Sequence, residues 1–354
     1  MPTLLAIERF VPPYRYSQAE VSKYVDDWLA DDAAARRLLS VYESAGVASR
    51  GSVVPIEEVF HPGSFEAQND RYREIHIQAG IQVARSVLSR SEIAATDVGL
   101  IVSVSCTGFM IPAVDAYVAD ELKMGPRLVR MPITEAGCAG GVVALARARD
   151  YLVAHPREVA LILGIELASL TFQRWDRSAT NVVSTALFGD GGAAVVLVGD
   201  DHPSSRGCPL ARLTAAGSIF FPGTTHLMGF HLRNQGLQIV LDRALAPFVR
   251  REVAGAVAAF LDANGLSRQD VTRFVLHPGG RRVIEVMAER LGLVQEDLAP
   301  TERVLAEHGN MSSVTVLFVL DEILRTGGVT CGEKGLVGAF GPGFGAEFAL
   351  VEFC

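Results

Sequence analysis

The sequence predicts an α/β fold built from two copies of one unit. Three observations carry that prediction. Short β-branched and apolar runs alternate with Ala-rich helical patterns, as expected of helices layered on a sheet. Four features recur in the same order, three of them at a nearly constant offset, which marks an internal repeat. Of the 354 residues, 49% are hydrophobic and 20% are charged. That supplies a large core and excludes a disordered chain.

The elements follow in order. A helical pattern at Arg73–Ser89 ends in a polar turn, then Asp97-Val98 and the buried strand Val98–Ser105. Glu135-Ala136-Gly137-Cys138 opens the helical pattern Gly140–Ala154, with Val142, Leu145 and Leu152 at helical spacing. The strand Val159–Ile165 follows, and Phe188-Gly189-Asp190-Gly191 precedes the strand Ala193–Val198. The Pro/Ser stretch His202–Pro209 reads as a surface connection, so the halves are taken as residues 1–207 and 208–354. In the second half a helical pattern at Ala244–Asn264 leads to Asp270-Val271 and the strand Arg273–His277. After the helical pattern Arg282–Leu291, Glu307-His308-Gly309-Asn310 opens another at Ser312–Thr326, with Val314, Leu317 and Leu324. The strand Gly335–Phe340 follows, and Phe340-Gly341-Pro342-Gly343 precedes the strand Glu347–Glu352. Asp270 lies 173 positions after Asp97, and Glu307 lies 172 after Glu135.

Composition removes several function classes. The net charge is -8 and no basic surplus marks a nucleic-acid binder. Met1–Phe10 lacks a basic region followed by an apolar stretch, and the longest apolar runs, such as Val314–Leu320, are too short to span a bilayer. The five cysteines, Cys106, Cys138, Cys208, Cys331 and Cys354, are scattered, with no C-x-x-C. Neither a disulfide framework nor a cysteine zinc site is expected. The expectation is a cytoplasmic protein with no membrane insertion.

The duplication nominates a site. Cys138 and Asn310 stand at equivalent positions, each beside a Gly at the start of a helical pattern. Packed about a pseudo-twofold axis, the two helix starts would face one centre. His277 ends a strand just before Pro278-Gly279-Gly280, and its repeat counterpart is close to Cys106. Strand ends at such a junction are where α/β sites form. A helix start and an adjacent imidazolium would favour the Cys138 thiolate. The thiolate would attack a thioester and hold the acyl group. His277 and Asn310 would donate hydrogen bonds to an oxygen that becomes negative. No metal is needed for charge on a single thioester oxygen. The Gly-rich segments Gly189–Gly192 and Phe340–Gly345 precede strands and do not fit G-x-G-x-x-G, so a dinucleotide site is not expected.

These residues resemble type III polyketide synthases, the chalcone-synthase-like enzymes of the thiolase superfamily. The resemblance spans essentially the whole chain. It is carried by Glu135–Gly141, Ala186–Gly191, His277-Pro278-Gly279-Gly280, Gly309-Asn310-Met311-Ser312-Ser313 and Phe340-Gly341-Pro342-Gly343. The segment Ser105–Met110 with Pro112 has a bacterial style. The resemblance implies a thiolase-like five-layered αβαβα fold and a homodimer. It implies that an acyl-CoA starter acylates Cys138 and that malonyl-CoA then loses CO2. The enolate, held by His277 and Asn310, would attack the thioester, and repeated cycles would build a chain that cyclises. CoA thioesters are the substrates and no other cofactor is implied.

Phe188 matches the family's gatekeeper. The cavity positions are Cys106, Thr107, Ala168, Thr171, Ser184, Phe230, Ile239 and Ser312, with the loop Gly341-Pro342-Gly343 shaping cyclisation. This lining is apolar and Ala168 is small, which suits a medium or long aliphatic starter and an alkylpyrone or alkylresorcinol product. The chain departs from the family at Ala339, where the loop usually has Gly, and at Ser40 and Ser44, where plant members carry basic residues for CoA. Arg37 and Arg282, with Gly279 and Gly280, are the candidates for CoA. The alternatives are a chalcone- or naphthalene-type synthase with another starter, or a ketoacyl synthase of the third type condensing once with malonyl on acyl carrier protein. A thiolase would want a second catalytic Cys, and Cys331 and Cys354 lack that context. A non-catalytic dimer partner is disfavoured by the intact Cys138, His277 and Asn310.

Overall fold

A computed structural model describes residues 1–207, 209–326 and 328–354. Cys208, where the halves were divided, lies outside the described residues. Nine strands form one hydrogen-bonded array. In chain order they are β1 (Thr3–Phe10), β2 (Val98–Val104), β3 (Val129–Ile133), β4 (Val159–Glu166), β5 (Gly191–Val198), β6 (Ala211–Phe220), β7 (Arg273–Leu276), β8 (Lys334–Gly341) and β9 (Gly345–Phe353). The spatial order is β7-β8-β9-β6-β1-β5-β4-β2-β3.

The duplication is written in that order. Running from the outside inward, β2-β4-β5-β1 repeats as β7-β8-β9-β6. In each half the first pair is parallel and the next two are antiparallel. The halves join through a short antiparallel pairing, Thr3 with Arg212 and Leu4 with Ala211. Only β3, parallel to β2 at the edge of the first half, has no counterpart in this array.

Among the described residues, eight of the longer helices pack on or beside the array: α1 (Phe65–Arg90), α2 (Val114–Glu121), α3 (Gly140–Ala154), α4 (Ala179–Leu187), α5 (Leu245–Ala263), α6 (Arg281–Leu291), α7 (Gln295–His308) and α8 (Thr315–Thr326). One core gathers Leu145 and Leu152 of α3 and Leu317 and Phe318 of α8 with inward residues of both halves, such as Ile162 and Val337. α3 and α8 are therefore sandwiched between the halves. A second core packs α1 and α2 on the other face of the first half, against Ile101, Leu161 and Leu163. A third packs α5 and α6 on the second half, against Phe274, Leu336 and Phe348. The layers are αβαβα, as the resemblance implies. Both faces of β4 are covered, which is why Val159–Glu166 reads as a continuous apolar run.

Boundaries shift in two places. The first helix begins at Phe65, eight residues before the expected Arg73, capped by the Ser64 side chain on the Ala67 N–H. The Ser312–Thr326 pattern starts as a 3-10 turn, Ser312–Val314, before α8 begins at Thr315. A smaller cap of helices packs beside α4, with Val25, Tyr42 and Phe60 against Val182 and Ala186. A hairpin, Met228–Arg233 with Gly236–Leu241, completes it.

Candidate active site

Cys138 sits in a one-turn 3-10 segment, Gly137–Ala139, that leads into α3. Gly137 has φ +51, and a Cβ there would lie 2.5 Å from Pro342 Cδ. A Cβ on Gly341 would lie 2.6 Å from the Ala136 carbonyl. The turn and the Gly341-Pro342-Gly343 loop, one from each half, thus meet where only glycine fits.

Ser312 stands opposite. Its Oγ is 3.7 Å from Cys138 Sγ and 3.1 Å from Cys106 Sγ. Its N–H donates to Asn310 Oδ1 at 2.8 Å, and Thr315 Oγ1 lies 3.4 Å from the same oxygen. With its oxygen engaged, the Asn310 amide presents its NH2. Asn310 is buried and its backbone bridges to Phe188.

Burial and hydrogen bonding pull the titratable groups of the site in opposite directions. Burial pushes the Cys138 thiol up to about 11, while hydrogen bonding from Ser312 and the Asn310 side chain pulls it down. Cys106 is pushed well above its ordinary value by burial, with Glu166 adding to it. His277 is held down to about 3 by burial. Burial thus disfavours the charged forms of both groups, against the pull of the Ser312 and Asn310 hydrogen bonds on the thiol.

His277 follows the end of β7 and its backbone N–H donates to the Gly338 carbonyl at 2.9 Å. Both of its ring nitrogens are buried and neither has a hydrogen-bond partner among the described residues. A buried polar group without a partner costs stability. A neutral imidazole offers one N–H donor and one acceptor, both unspent here.

Every expected wall residue except Gly341 and Gly343 lines one mostly apolar cavity that reaches Cys138. Gly341 is instead packed against the Cys138 turn, and Gly343, φ +81, makes the bend that returns the chain into β9. His277 and Asn310 are not part of that lining. The cavity also continues past the expected positions to Val21, Ile56, Val59 and Phe60. Of the CoA candidates, Arg37 and Arg282 are exposed and make no ion pair among the described residues, whereas Arg36 is paired with Asp26. Gly279 and Gly280 lead directly into α6.

Three wall and support residues escaped the sequence reading. Glu166, fully buried at the end of β4, accepts from the Cys106 N–H at 3.0 Å, Thr107 Oγ1 at 2.8 Å and Ser105 Oγ at 3.3 Å, and from Ser313 of the other half. A lone acid closing an apolar run was the available signal. Asp190, raised to about 6 by burial, accepts from the Val53 and Ser169 backbone N–H groups, both at 2.7 Å. Arg50 is the third.

Two family profiles match the chain, chalcone and stilbene synthases, N-terminal domain, over residues 57–202, and their C-terminal domain over residues 212–353. A 1,3,6,8-tetrahydroxynaphthalene synthase of Streptomyces peucetius subsp. caesius is 35% identical over 99% of this chain and 93% of its own. An alpha-pyrone synthesis polyketide synthase-like protein of Mycobacterium tuberculosis is 28% identical over 95% of this chain and 87% of its own. Among solved structures, the 1,3,6,8-tetrahydroxynaphthalene synthase of Streptomyces coelicolor A3(2), a bacterial type III polyketide synthase, superimposes with a TM-score of 0.93 at 30% identity, covering 99% of both chains.

Proposed function

Because the chain belongs to the chalcone and stilbene synthase family of type III polyketide synthases, acyl-transferring enzymes, we propose that it elongates an aliphatic acyl starter held on Cys138. Malonyl-CoA supplies the extender units by decarboxylation. His277 and the Asn310 amide donate to the thioester oxygen as it gains charge, in a site that excludes water. The His277 ring carries an N–H to donate whether neutral or charged. No cofactor beyond the CoA thioesters takes part. Arg37, Arg282 and the Gly279-Gly280 turn hold CoA at the surface. The chain closes to an alkylpyrone or alkylresorcinol.

The observation that carries the starter is the cavity. Its lining joins Cys138, Ala168 and Phe188 to Val21, Ile56, Val59 and Phe60, an apolar wall that suits an alkyl tail. We take the working form as a homodimer. β3 is an edge strand with Val129 exposed, and Phe109 and Ile111 stand in solvent. Exposed strand edges and apolar side chains favour a partner. No described helix is long and apolar enough to cross a membrane.

The test is product analysis by mass spectrometry. The chain is given malonyl-CoA with acyl-CoAs from acetyl to palmitoyl, alongside Cys138→Ala. Alkylpyrones or alkylresorcinols that vanish in the variant are the expected result. Ala168→Trp narrows the cavity and shortens the accepted starters. Unchanged chain-length preference removes the cavity assignment. A second reading, favoured by the 35% identity to a tetrahydroxynaphthalene synthase, is that malonyl-CoA alone yields an aromatic product. Product from malonyl-CoA without any added starter selects it.

A further inference from the structure

Arg50 lies on a short strand, Ser49–Ser52, and lines the cavity wall, yet it is 6% exposed. No carboxylate pairs with it among the described residues. Burial lowers its pKa to about 10, so it remains a cation. Buried charges are ordinarily paired with an opposite charge, so its partners identify its task.

Its partners are backbone carbonyls at the C-terminus of α4. Nη1 donates to the Thr185 carbonyl and, at 3.1 Å, to the Phe188 carbonyl. Nη2 donates to the Ala186 carbonyl at 3.1 Å and to Gln18 Oε1. The four terminal N–H groups thus match four acceptors, three of them helix-end carbonyls where a cation is favoured, and Gln18 Nε2 shares the Ala186 carbonyl at 3.1 Å. The carbonyl it skips is Leu187. That one accepts the Asn310 N–H at 2.8 Å, and the Gly189 N–H donates back to the Asn310 carbonyl at 3.1 Å. Arg50 therefore grips both flanks of the segment on which the Asn310 backbone is hung. The approach is tight, since a Cβ on Gly189 would lie 2.9 Å from Arg50 Cβ.

We propose that Arg50 is a positioning residue that sets Asn310 against Cys138 by holding the α4 C-terminus from Thr185 to Phe188. The proposal rests on the reading of Asn310 as a donor to the reacting oxygen. Lys in its place keeps the charge but not the planar fork that reaches several carbonyls at once.

The test separates positioning from folding. In Arg50→Lys, CO2 release from malonyl-CoA falls about tenfold or more in kcat, short of the roughly hundredfold to thousandfold that outright loss of an oxyanion donor costs. Alkylation of Cys138 by iodoacetamide, which uses Asn310 only through its hydrogen bond to the thiol, falls by much less than CO2 release does. Adding Asn310→Ala to Arg50→Lys gives no further loss beyond Asn310→Ala alone, as coupled residues require. Gln18→Ala, a milder loss of one anchor, moves CO2 release in the same direction and covers the case in which Arg50→Lys does not fold. CO2 release at the parental rate, independent multiplication of the two effects, or alkylation falling in parallel would each overturn the assignment. A parent chain that releases no CO2 overturns the reading of Asn310 and this proposal with it. A competent parent with an indifferent Arg50→Lys overturns this proposal alone.

Discussion

Ser312 holds a left-handed backbone conformation, φ 48, which an L side chain adopts at a cost of about 1 kcal/mol or more. That conformation aims its hydroxyl between Cys106 and Cys138. Ser312→Gly releases the strain and removes the donor. The expected outcome is an equal or higher melting temperature together with slower alkylation of Cys138 at neutral pH. The sign follows from the hydrogen bond, which favours the thiolate, so its loss moves the alkylation profile to higher pH. His76 makes a separate prediction. It is buried against Tyr72, its Nδ1 has no partner among the described residues, and burial holds it down to about 3. The folded chain keeps it neutral while the unfolded chain protonates it below about 6.5. Its stabilising share is present above that pH and is lost as the pH falls toward 3. Urea titrations at pH 7 and pH 5 should differ by about 2 kcal/mol less in His76→Phe than in the parent. At this scale the sequence was readable where a residue carried a pattern. Cys138 and Asn310 were nominated through the repeat, and His277 through its place before a Gly pair. Arg50, His76 and Glu166 carry no periodic mark, because burial of a charged or titratable group is decided by residues distant in the chain.

At the scale of elements, the central helices α3 and α8 approach through glycine. A Cβ on Gly141 would lie 2.4 Å from the Ser313 carbonyl and 2.9 Å from Val316. Gly141→Ala should cost about 1–3 kcal/mol in chemical denaturation, the usual range for overpacking a filled core. Because Cys138 and Ser312 begin these two helices, the same variant should also change Cys138 alkylation. Gly255, exposed on α5 with open space around it, is the control. Gly255→Ala should stabilise by about 0.5–1 kcal/mol through helix propensity alone. The apolar strands β2, β4, β5, β8 and β9 were legible because both of their faces are covered. β1 and β6 were not read, although they join the halves. β6 alternates buried and partly exposed residues and ends in solvent. α7 was missed as well, since its 14 residues include Pro300 and a polar surface. The 3-10 turns before α3 and α8 lie below the resolution of any periodicity, yet they position Cys138 and Ser312.

For the whole molecule, the repeat was the most informative signal, because its spacing survives even where local propensity is weak. The halves are tied by more than the short β1–β6 pairing. Arg9 on β1 is ion-paired with Asp321 and with Glu322 at 3.3 Å on α8, donates to the Phe318 carbonyl at 2.9 Å and lies over the Phe318 ring. Asp321 is 4% exposed. Asp321→Ala leaves a largely buried cation short of a partner and should lower stability by about 3–5 kcal/mol, read as a fall in urea midpoint with the starter preference unchanged. Glu166 ties the halves in another manner. Its oxygens are served by Ser105, Cys106 and Thr107 from one half and by Ser313 from the other. A first half folded alone would hold that carboxyl in an apolar wall with one oxygen unserved. Such a state is penalised, so the carboxyl acts as a proofreader of assembly. It rewards only the chain in which both copies have closed, and it does so through the backbone of Cys106, on the wall of the cavity.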